Sequence, residues 1–163
     1  MSADQDARTD GRAAQGELSL LLDDQMCFAL YAASRAVTAL YRPLLDELGL
    51  TYPQYLVLLA LWERDGVPVK NLRAALQLDY GTLTPLLKRL EAAGLLRRQR
   101  QADDERTVRI ALTPEGAALR ERARAIPGAI GEAMGLGEEE FDRTRASLRR
   151  LTGNVTARTE SRA

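Results

Sequence analysis

Hydrophobic side chains recur at every third or fourth position along most of the chain, a spacing that predicts a series of amphipathic helices. The first stripe begins at Leu18 and runs to about Arg42, where Pro43 should kink or end the helix. A second helix should begin at the segment 51–54, because its threonine can cap, its glutamine completes a capping box and its proline suits the first turn. Gly66 should end this second helix.

The middle of the chain changes from helical to strand spacing. After an extended segment at 67–69, residues 70–77 predict a short helix, and Asp79 is a predicted N-cap for a helix that closes at Gly94. Pro85 fits that helix only near its first turns. Apolar and polar residues then alternate, which predicts two strands over 95–100 and 107–113 with a polar turn at 102–105.

The C-terminal part returns to helical spacing. A helix should start at Thr113, Pro127 and Gly128 should interrupt it, and residues 134–137 should form a flexible joint. A last helix from about Glu138 to Val155 carries an apolar stripe. A compact central domain cannot fully cover the stripes of both terminal helices, so we expect them to be buried in a homodimer.

These elements predict a mainly α fold with a small β-hairpin wing, that is, a winged helix-turn-helix whose N- and C-terminal helices form a dimerisation region. The expected organisation is a disordered N-terminal tail (1–17), an N-terminal dimerisation and sensor helix (18–50), a winged helix-turn-helix DNA-binding domain (51–113), and C-terminal dimerisation helices with a tail (114–163).

Composition narrows the classes of function. The 163 residues hold 23 basic and 23 acidic side chains, so a uniformly basic surface is excluded, but residues 88–109 carry seven basic and four acidic groups. There is no histidine and Cys27 is the single cysteine, which excludes a Cys/His zinc site, a Ser-His-Asp triad and an intrachain disulfide. Hydrolysis by paired carboxylates stays open, but the acidic residues lie mostly in runs typical of a solvated surface, and we expect no enzyme, metal or cofactor. Without a membrane-length apolar run or a signal peptide, we expect a cytoplasmic protein.

The helix that follows Asp79 has the composition of a DNA-recognition helix. Small and hydroxyl-bearing residues at its start let a helix approach base edges in the major groove, while Lys88 and Arg89 follow one to two turns later and can reach phosphates. In the hairpin, Arg106 can enter the minor groove, and Asp104 can pair with it and orient it. Taken alone, the first helix turn can be an ordinary helix start and the hairpin tip an ordinary charged turn.

Two sequence blocks carry a resemblance to a known family. Residues 83–95 (LTPLLKRLEAAGL) and 104–113 (DERTVRIALT) resemble the recognition helix and wing of the MarR family of winged-helix repressors. Residues 25–35 (QMCFALYAASR), 41–45 (YRPLL) and 51–55 (TYPQY) are similar to the organic hydroperoxide sensors of that family, the OhrR group.

The resemblance implies a dimeric repressor that binds pseudo-palindromic double-stranded operator DNA. It implies that Cys27 is the peroxide sensor and that Tyr31 and Tyr41 hydrogen-bond to it. It also places a set of residues at the DNA, namely Tyr80, Thr82, Thr84, Pro85 and Lys88 at or near the major groove and Asp104 and Arg106 in the wing contact. Tyr80 stands where many relatives have a small serine, so the resemblance does not determine the operator preference at this position.

The chemistry of Cys27 can also be argued from the residues. A lone cysteine on an apolar helix is commonly a small buried hydrophobe, but Tyr31 lies one helical turn away on the same face, where its phenol can donate to a thiolate. Tyr41 shares that face at an axial distance of ~21 Å along a straight helix, so any contact with Cys27 must cross to the partner subunit or follow a bend in the chain.

A mechanism follows from these placements. An organic hydroperoxide oxidises the Cys27 thiolate to a sulfenic acid, which a low-molecular-weight thiol can convert to a mixed disulfide or further peroxide to a sulfinic acid. The change displaces the tyrosines, the operator is released and a peroxide-detoxification gene is expressed. Two alternatives remain open, namely a repressor released by a small aromatic or phenolic ligand, with Cys27 structural, and a single-cysteine thiol peroxidase.

Overall fold

The computed structural model describes residues 19–101 and 104–161, with the backbone alone described at 101 and 104–106. A short 3-10 helix at Leu22–Asp24 precedes the regular elements, which are α1 (Met26–Asp46), α2 (Tyr52–Glu63), β1 (Val67–Pro68), α3 (Val69–Leu76), α4 (Tyr80–Ala92), β2 (Leu96–Gln101), β3 (Asp104–Leu112), α5 (Pro114–Ala123), α6 (Ile126–Ala133) and α7 (Glu138–Glu160). The chain divides into two compact units, one ending at Thr38 and one beginning at Ala39. The predicted tail at 1–17 lies outside the described residues.

Helix α1 begins later and ends later than the hydrophobic pattern predicts. It starts at Met26 rather than near Leu18, and Pro43 lies inside it instead of ending it. The helix continues past Pro43 because Leu45 is buried and because Gly49, with a φ of +67°, lets the Leu50 N–H bond to the Leu45 carbonyl over 3.0 Å. Of the two predicted effects of Pro43, a kink or an end, the end of the helix is therefore wrong.

Helix α2 confirms its predicted start. The Thr51 N–H donates to Oε1 of Gln54 over 2.8 Å, which is the glutamine half of the capping box. The helix ends at Glu63, before Gly66, where the sequence predicts its end. Gly66 (φ +64°) instead lies in the turn that leads to β1. Val69, predicted as extended, is instead the first residue of α3.

Helix α4 confirms both predicted ends. The Asp79 carboxylate accepts from the Thr82 N–H over 2.7 Å at the start, and Gly94 adopts a φ of +74° after the end. Pro85 is the sixth residue of α4 and lies in its second turn, near the start of the helix as predicted but past the residues whose N–H groups have no partner. The helix therefore gives up the single hydrogen bond that residue 85 would donate to the Gly81 carbonyl, while its apolar face keeps it in place.

The sheet has three antiparallel strands in the order β1-β3-β2. Strand β1 pairs with β3 through Val67 and Ile110, so the extended segment predicted at 67–69 becomes a third strand of the wing. Strand β3 begins at Asp104, so the predicted four-residue turn at 102–105 is too long. The positions between the two hairpin strands, 102 and 103, lie outside the described residues.

The C-terminal helices correct one further prediction. The break between α5 and α6 falls at Arg124 and Ala125, and Pro127 is accommodated at the second position of α6, with Gly128 next to it. A proline near a helix N-terminus costs no hydrogen bond, so it starts this helix rather than interrupting one. The turn after α6 contains Gly135 at a φ of +65°, and α7 extends to Glu160.

The hydrophobic core of the second unit is built by the winged-helix elements. Its largest fully buried side chains come from α1, α2, α3, α4 and the hairpin, and they are Tyr55, Leu45, Leu58, Leu61, Leu72, Leu83, Leu90, Leu96, Ile110 and Val57. Helix α7 buries no residue in the single chain, and Leu148, Leu151 and Val155 stay exposed. Within the described ranges, no helix is both long and apolar enough to span a membrane.

Candidate nucleic-acid interface and redox site

Helices α3 and α4 form a helix-turn-helix with a fixed turn. Gln77 adopts a left-handed φ of +53° at the end of α3, and its N–H bonds to the Ala74 carbonyl over 3.2 Å. The Leu78 N–H bonds to the Arg73 carbonyl over 3.2 Å, which completes the helix end. Asp79 then caps α4 two residues after Gln77, so the connection between the two helices is short and its backbone is held at both ends.

The predicted recognition residues all lie on the outer face of α4. Tyr80, Thr82, Thr84, Pro85 and Lys88 are exposed, whereas the buried face consists of Leu83, Leu86, Leu87 and Leu90. The structure therefore brings these five side chains together on one surface, as the sequence predicts. Their contact with DNA stays a prediction.

The cap at the start of α4 also fixes a charge. Thr82 donates to Asp79 through its N–H and, over 3.2 Å, through its hydroxyl. These hydrogen bonds, the backbone one first, lower the pKa of the Asp79 carboxyl below its ordinary value. The carboxylate thus stays ionised where it complements the positive end of the helix dipole.

The wing is attached to α4 by several specific bonds. The Thr113 hydroxyl donates to the Gly94 carbonyl over 2.6 Å, and the Glu91 carboxylate accepts from the Arg98 N–H over 3.0 Å. Arg109 donates to the Gly66 carbonyl over 2.7 Å, which ties β3 to the turn before β1. These hydrogen bonds near the base of the hairpin therefore fix its position relative to α4 and to the turn before β1.

The two predicted wing residues are described by their backbone alone. Asp104 and Arg106 lie in β3, so both belong to the hairpin, but their side chains are outside the described part of the structure. The proposed pairing of the Asp104 carboxylate with the Arg106 guanidinium consequently stays a prediction.

The predicted sensor residues on the N-terminal unit lie on one face of α1. Cys27 is exposed, and Tyr31, one turn later, is 58% exposed. The Tyr31 hydroxyl accepts a hydrogen bond from Nη1 of Arg35 over 3.1 Å, and the guanidinium carbon lies 5.6 Å from the centre of the Tyr31 ring. Among the described residues of this single chain, no hydrogen bond joins Tyr31 to Cys27.

Tyr41 belongs to the second unit, where it joins an aromatic cluster. Its ring centre lies 4.6 Å from that of Tyr52 and 5.8 Å from that of Tyr55, and Tyr55 in turn contacts Trp62 edge-on at 6.2 Å. Burial, followed by the proximity of the two other tyrosines, raises the pKa of Tyr41 to about 12. This group is neutral at physiological pH and able to donate a hydrogen bond.

Two residues of this cluster were absent from the predicted sensor set. Tyr52 and Tyr55, which the sequence analysis placed in the 51–55 block of the resemblance but gave no role, contact Tyr41 directly, and burial raises the pKa of both. Their spacing of three residues at the start of α2 places them on one helix face, and this spacing is the sequence feature that could have predicted that they act together. Arg35 and Arg73 were missed as well, because a charged residue on an exposed helix face gives no distinguishing pattern.

A metal site is not formed by the described residues. They contain no group of three or more cysteine, aspartate or glutamate side chains that could hold an ion.

A helix-turn-helix followed by a β-wing defines the class of winged-helix DNA-binding proteins.

Comparisons with known proteins place the chain within this class. Residues 39–122 match the family described as transcriptional regulator SarA/Rot. The organic hydroperoxide resistance transcriptional regulator of Bacillus subtilis is 53% identical over 118 residues, which cover 72% of this chain and 78% of that protein. The regulator TtmR of Methylorubrum extorquens is 52% identical over 119 residues, which cover 73% of this chain but 61% of that protein.

A solved structure agrees with the sequence comparisons. The structure of reduced AbfR bound to DNA superposes with a TM-score of 0.71 at 37% identity, and the match covers 83% of this chain and 93% of AbfR. The chain belongs to the MarR family of winged-helix transcriptional regulators, and within that family it is similar to an organic hydroperoxide resistance regulator.

Proposed function

We propose that this protein is a transcriptional repressor that senses organic hydroperoxides through Cys27 and releases its operator when this residue is oxidised. The observation that carries the proposal is the exposed single cysteine on α1, one turn before Tyr31, in a chain 53% identical to an organic hydroperoxide resistance regulator. Exposure gives a peroxide access to the sulfur, and the neighbouring phenol can stabilise the thiolate.

The DNA-binding surface of the proposal is the outer face of α4 together with the wing. Thr82, Thr84 and Lys88 offer hydroxyl and ammonium groups to base edges and phosphates. The wing carries Arg106, which we propose enters the minor groove. In support, a structural relative was solved on DNA with the same fold.

The proposed dimer follows from the uncovered apolar side chains. Leu148, Leu151 and Val155 on α7 are exposed, as are Met26 and Phe28 on α1. A second copy of the chain that covers these faces would present two recognition helices to a pseudo-palindromic operator, since half-site spacing mirrors the twofold axis of the protein.

The chemical step is a two-electron oxidation of Cys27. The thiolate attacks the terminal oxygen of the hydroperoxide, the O–O bond breaks, and cysteine sulfenic acid forms while the alkoxide leaves and takes up a proton from water. A small thiol can then condense with the sulfenic acid, with release of water, to give a mixed disulfide. A second hydroperoxide would instead give the sulfinic acid.

Tyr41, Tyr52 and Tyr55 supply the responding element in this proposal. Their rings pack together in the second unit, which also holds the helices of the DNA-binding surface. We propose that a Tyr41 hydroxyl reaches the Cys27 of the partner subunit in the dimer. Oxidation removes the thiolate that accepts this hydrogen bond, which shifts the cluster and changes the spacing of the two recognition helices.

Fluorescence anisotropy on the DNA upstream of the gene tests the proposal. Cumene hydroperoxide should release the wild-type protein, and a small thiol reductant should restore binding if the product is a sulfenic acid or a mixed disulfide. Cys27→Ser should bind the same DNA and stay bound under peroxide. Release of this variant, or a wild-type protein that ignores peroxide but responds to salicylate-like acids, would contradict the proposal.

The wing contact has its own test. Arg106→Ala should weaken DNA binding equally before and after oxidation, because the wing contributes to affinity and not to sensing. Lys88→Ala should likewise weaken binding in both redox states. Unchanged affinity of Arg106→Ala would remove the wing from the proposed interface.

A further inference from the structure

Arg73 and Tyr80 form a contact that the proposed function does not use. The guanidinium carbon of Arg73, in the last turn of α3, lies 5.0 Å from the centre of the Tyr80 ring at the start of α4. Both side chains are exposed, and Tyr80 is 53% exposed. This cation–π pair therefore joins the two helices of the helix-turn-helix on the exposed surface.

The backbone of the segment between Arg73 and Tyr80 has a fixed conformation. Gln77 sets the left-handed turn after Arg73, and Asp79 holds the first turn of α4 through the Thr82 N–H. A cation over an aromatic ring adds a further preference for one arrangement, worth more as water is excluded from it. The pair consequently presents its free groups in a defined geometry before any DNA arrives.

The chemistry of the two side chains suits two different parts of a DNA duplex. Within the described residues, Arg73 has no carboxylate within ion-pair distance, so its charge is available to an anion. In helix-turn-helix complexes the first helix crosses the DNA backbone, while the first residues of the second helix approach base edges. Arg73 lies on the first of these helices and Tyr80 is the first residue of the second.

We propose that Arg73 and Tyr80 act as one specificity unit, in which Arg73 binds a backbone phosphate and holds Tyr80 so that its hydroxyl hydrogen-bonds to a base edge in the major groove. This inference rests on the proposed DNA-binding function and deepens it. One face of the Tyr80 ring is covered by Arg73, which leaves the ring edge with its hydroxyl as the polar group free for DNA. Arg73 is therefore a phosphate-binding and positioning residue, and Tyr80 is the reading residue.

The test begins with the wild-type protein and a library of randomised DNA duplexes. Rounds of selection define the preferred duplex, and every single base-pair variant of that duplex then serves as a probe. Failure of the wild-type protein to select any sequence would overturn the proposed function itself. A selected sequence provides the DNA probe with which the variants below test this inference.

Tyr80→Ser and Tyr80→Phe isolate the reading group. Both should reduce discrimination at one base pair in each half-site by about tenfold, within the usual cost of a mismatched pair, and leave the other positions unchanged. The phenylalanine keeps the ring that Arg73 covers, so its reduced discrimination assigns the effect to the hydroxyl. An unchanged preference profile in either variant would overturn the assignment of Tyr80.

Arg73→Ala and Arg73→Lys isolate the phosphate contact and the stacking. The alanine variant should weaken binding to every duplex and lower the slope of log affinity against log salt by about 0.9 for each phosphate that is no longer neutralised. It should also abolish the Tyr80-dependent preference. The lysine variant should keep most of the slope and still abolish that preference, because an ammonium lacks the planar stacking surface.

Two controls complete the design. Arg124→Ala removes one exposed charge outside the helix-turn-helix and should leave both the preference and the salt slope unchanged. The double variant Arg73→Ala/Tyr80→Ser should discriminate no worse at the affected base pair than Tyr80→Ser alone, since the two residues act as a unit. Additive effects at that base pair would show independent roles and overturn the inference.

Discussion

Nη1 of Arg35 donates a hydrogen bond to the Tyr31 hydroxyl over 3.1 Å, while the same guanidinium lies 5.6 Å from the centre of the Tyr31 ring. Arg35 thus fixes the orientation of the phenol that lies one turn from Cys27. Because the Tyr31 oxygen accepts from a cation, its own O–H becomes a stronger donor to a nearby thiolate. Arg35 therefore places a positive charge on the phenol that we propose donates to the Cys27 thiolate.

The first prediction concerns this connection. Tyr31→Phe and Arg35→Ala should each slow the reaction of Cys27 with cumene hydroperoxide, by about tenfold for Tyr31→Phe, since a hydrogen bond to a charged group is worth roughly 1.5–3 kcal/mol. The effect of Arg35→Ala should be smaller because it acts through the phenol. Trapping of the sulfenic acid with dimedone, followed by mass spectrometry over time, measures the rate.

A matched variant separates position from charge. Arg42→Ala removes the same charge from the same helix, but Arg42 has no hydrogen bond to Tyr31 among the described residues. It should leave the trapping rate close to that of the wild-type protein. Equal slowing in Arg42→Ala and Arg35→Ala would mean that net charge, not the contact with Tyr31, controls the reaction.

The sequence predicts the winged-helix elements well because local signals determine them. Asp79 and Gly94 delimit α4 through a side-chain cap and a left-handed turn, both of which depend on residues within a few positions. Pro43 misled the prediction because the helix beyond it is held by the burial of Leu45, which depends on tertiary packing. Pro127 misled it for the opposite reason, since a proline signals a helix start as readily as an interruption.

The residues of the candidate site that lie on a single helix could be predicted from the sequence. The contacts between residues of different elements could not. The exposed face of α4 follows from periodicity alone. The contacts of Tyr41 with Tyr52, and of Arg73 with Tyr80, join residues of different helices, so no pattern within a single helix could indicate them. The proposed contact of Tyr41 with Cys27 of a second copy likewise depends on how two chains meet.

The second prediction follows from the raised pKa of Tyr41. This pKa is about 12 in the folded protein against 10.0 for an ordinary tyrosine, mainly because the hydroxyl is partly buried. The folded state therefore holds the proton more tightly than the unfolded state. The stability that Tyr41 contributes is complete below the unfolded pKa and disappears as the pH rises through the folded pKa.

Urea unfolding across this alkaline range provides the measurement. The wild-type midpoint should fall from about pH 9 upward, and Tyr41→Phe should make that fall shallower, because phenylalanine cannot ionise. Absorbance at the phenolate wavelength should show that the most alkaline titrating component is missing from the variant. An identical pH dependence in both proteins would show that Tyr41 does not titrate in this way.

The third prediction concerns the close approach at Gly116. A Cβ placed on this residue would lie 1.9 Å from the Leu95 carbonyl oxygen, and the Gly116 carbonyl itself accepts from Nε1 of Trp62 over 2.9 Å. Gly116→Ala should therefore push α5 away from the end of α4 and weaken the Trp62 bond. We expect the free energy of unfolding to fall by about 2–4 kcal/mol, at or above the usual cost of overpacking.

Gly128→Ala is the matched control for this prediction. Gly128 lies in α6 with open space around its Cα, so an added methyl group meets nothing within 4 Å. Alanine there should be neutral or stabilising by up to about 1 kcal/mol, from helix propensity. Denaturant unfolding followed by circular dichroism compares the two, and similar effects in both variants would contradict the steric argument.

The last prediction concerns Gln77, the only described residue other than glycine with a positive φ. A side chain in the left-handed region costs roughly 1–2 kcal/mol, and glycine avoids that cost at the expense of about 0.5–1 kcal/mol of extra chain entropy in the unfolded state. Gln77→Gly should therefore raise the free energy of unfolding by about 0.5 kcal/mol while DNA affinity stays unchanged. The reverse substitution Gly135→Ala, at a φ of +65° with open space around the Cα, should lower stability by a similar or larger amount. Thermal unfolding of the two variants beside the wild type measures both effects. A Gln77→Gly variant that is less stable than the wild type would show that the glutamine side chain stabilises the turn between α3 and α4 by more than its backbone conformation costs.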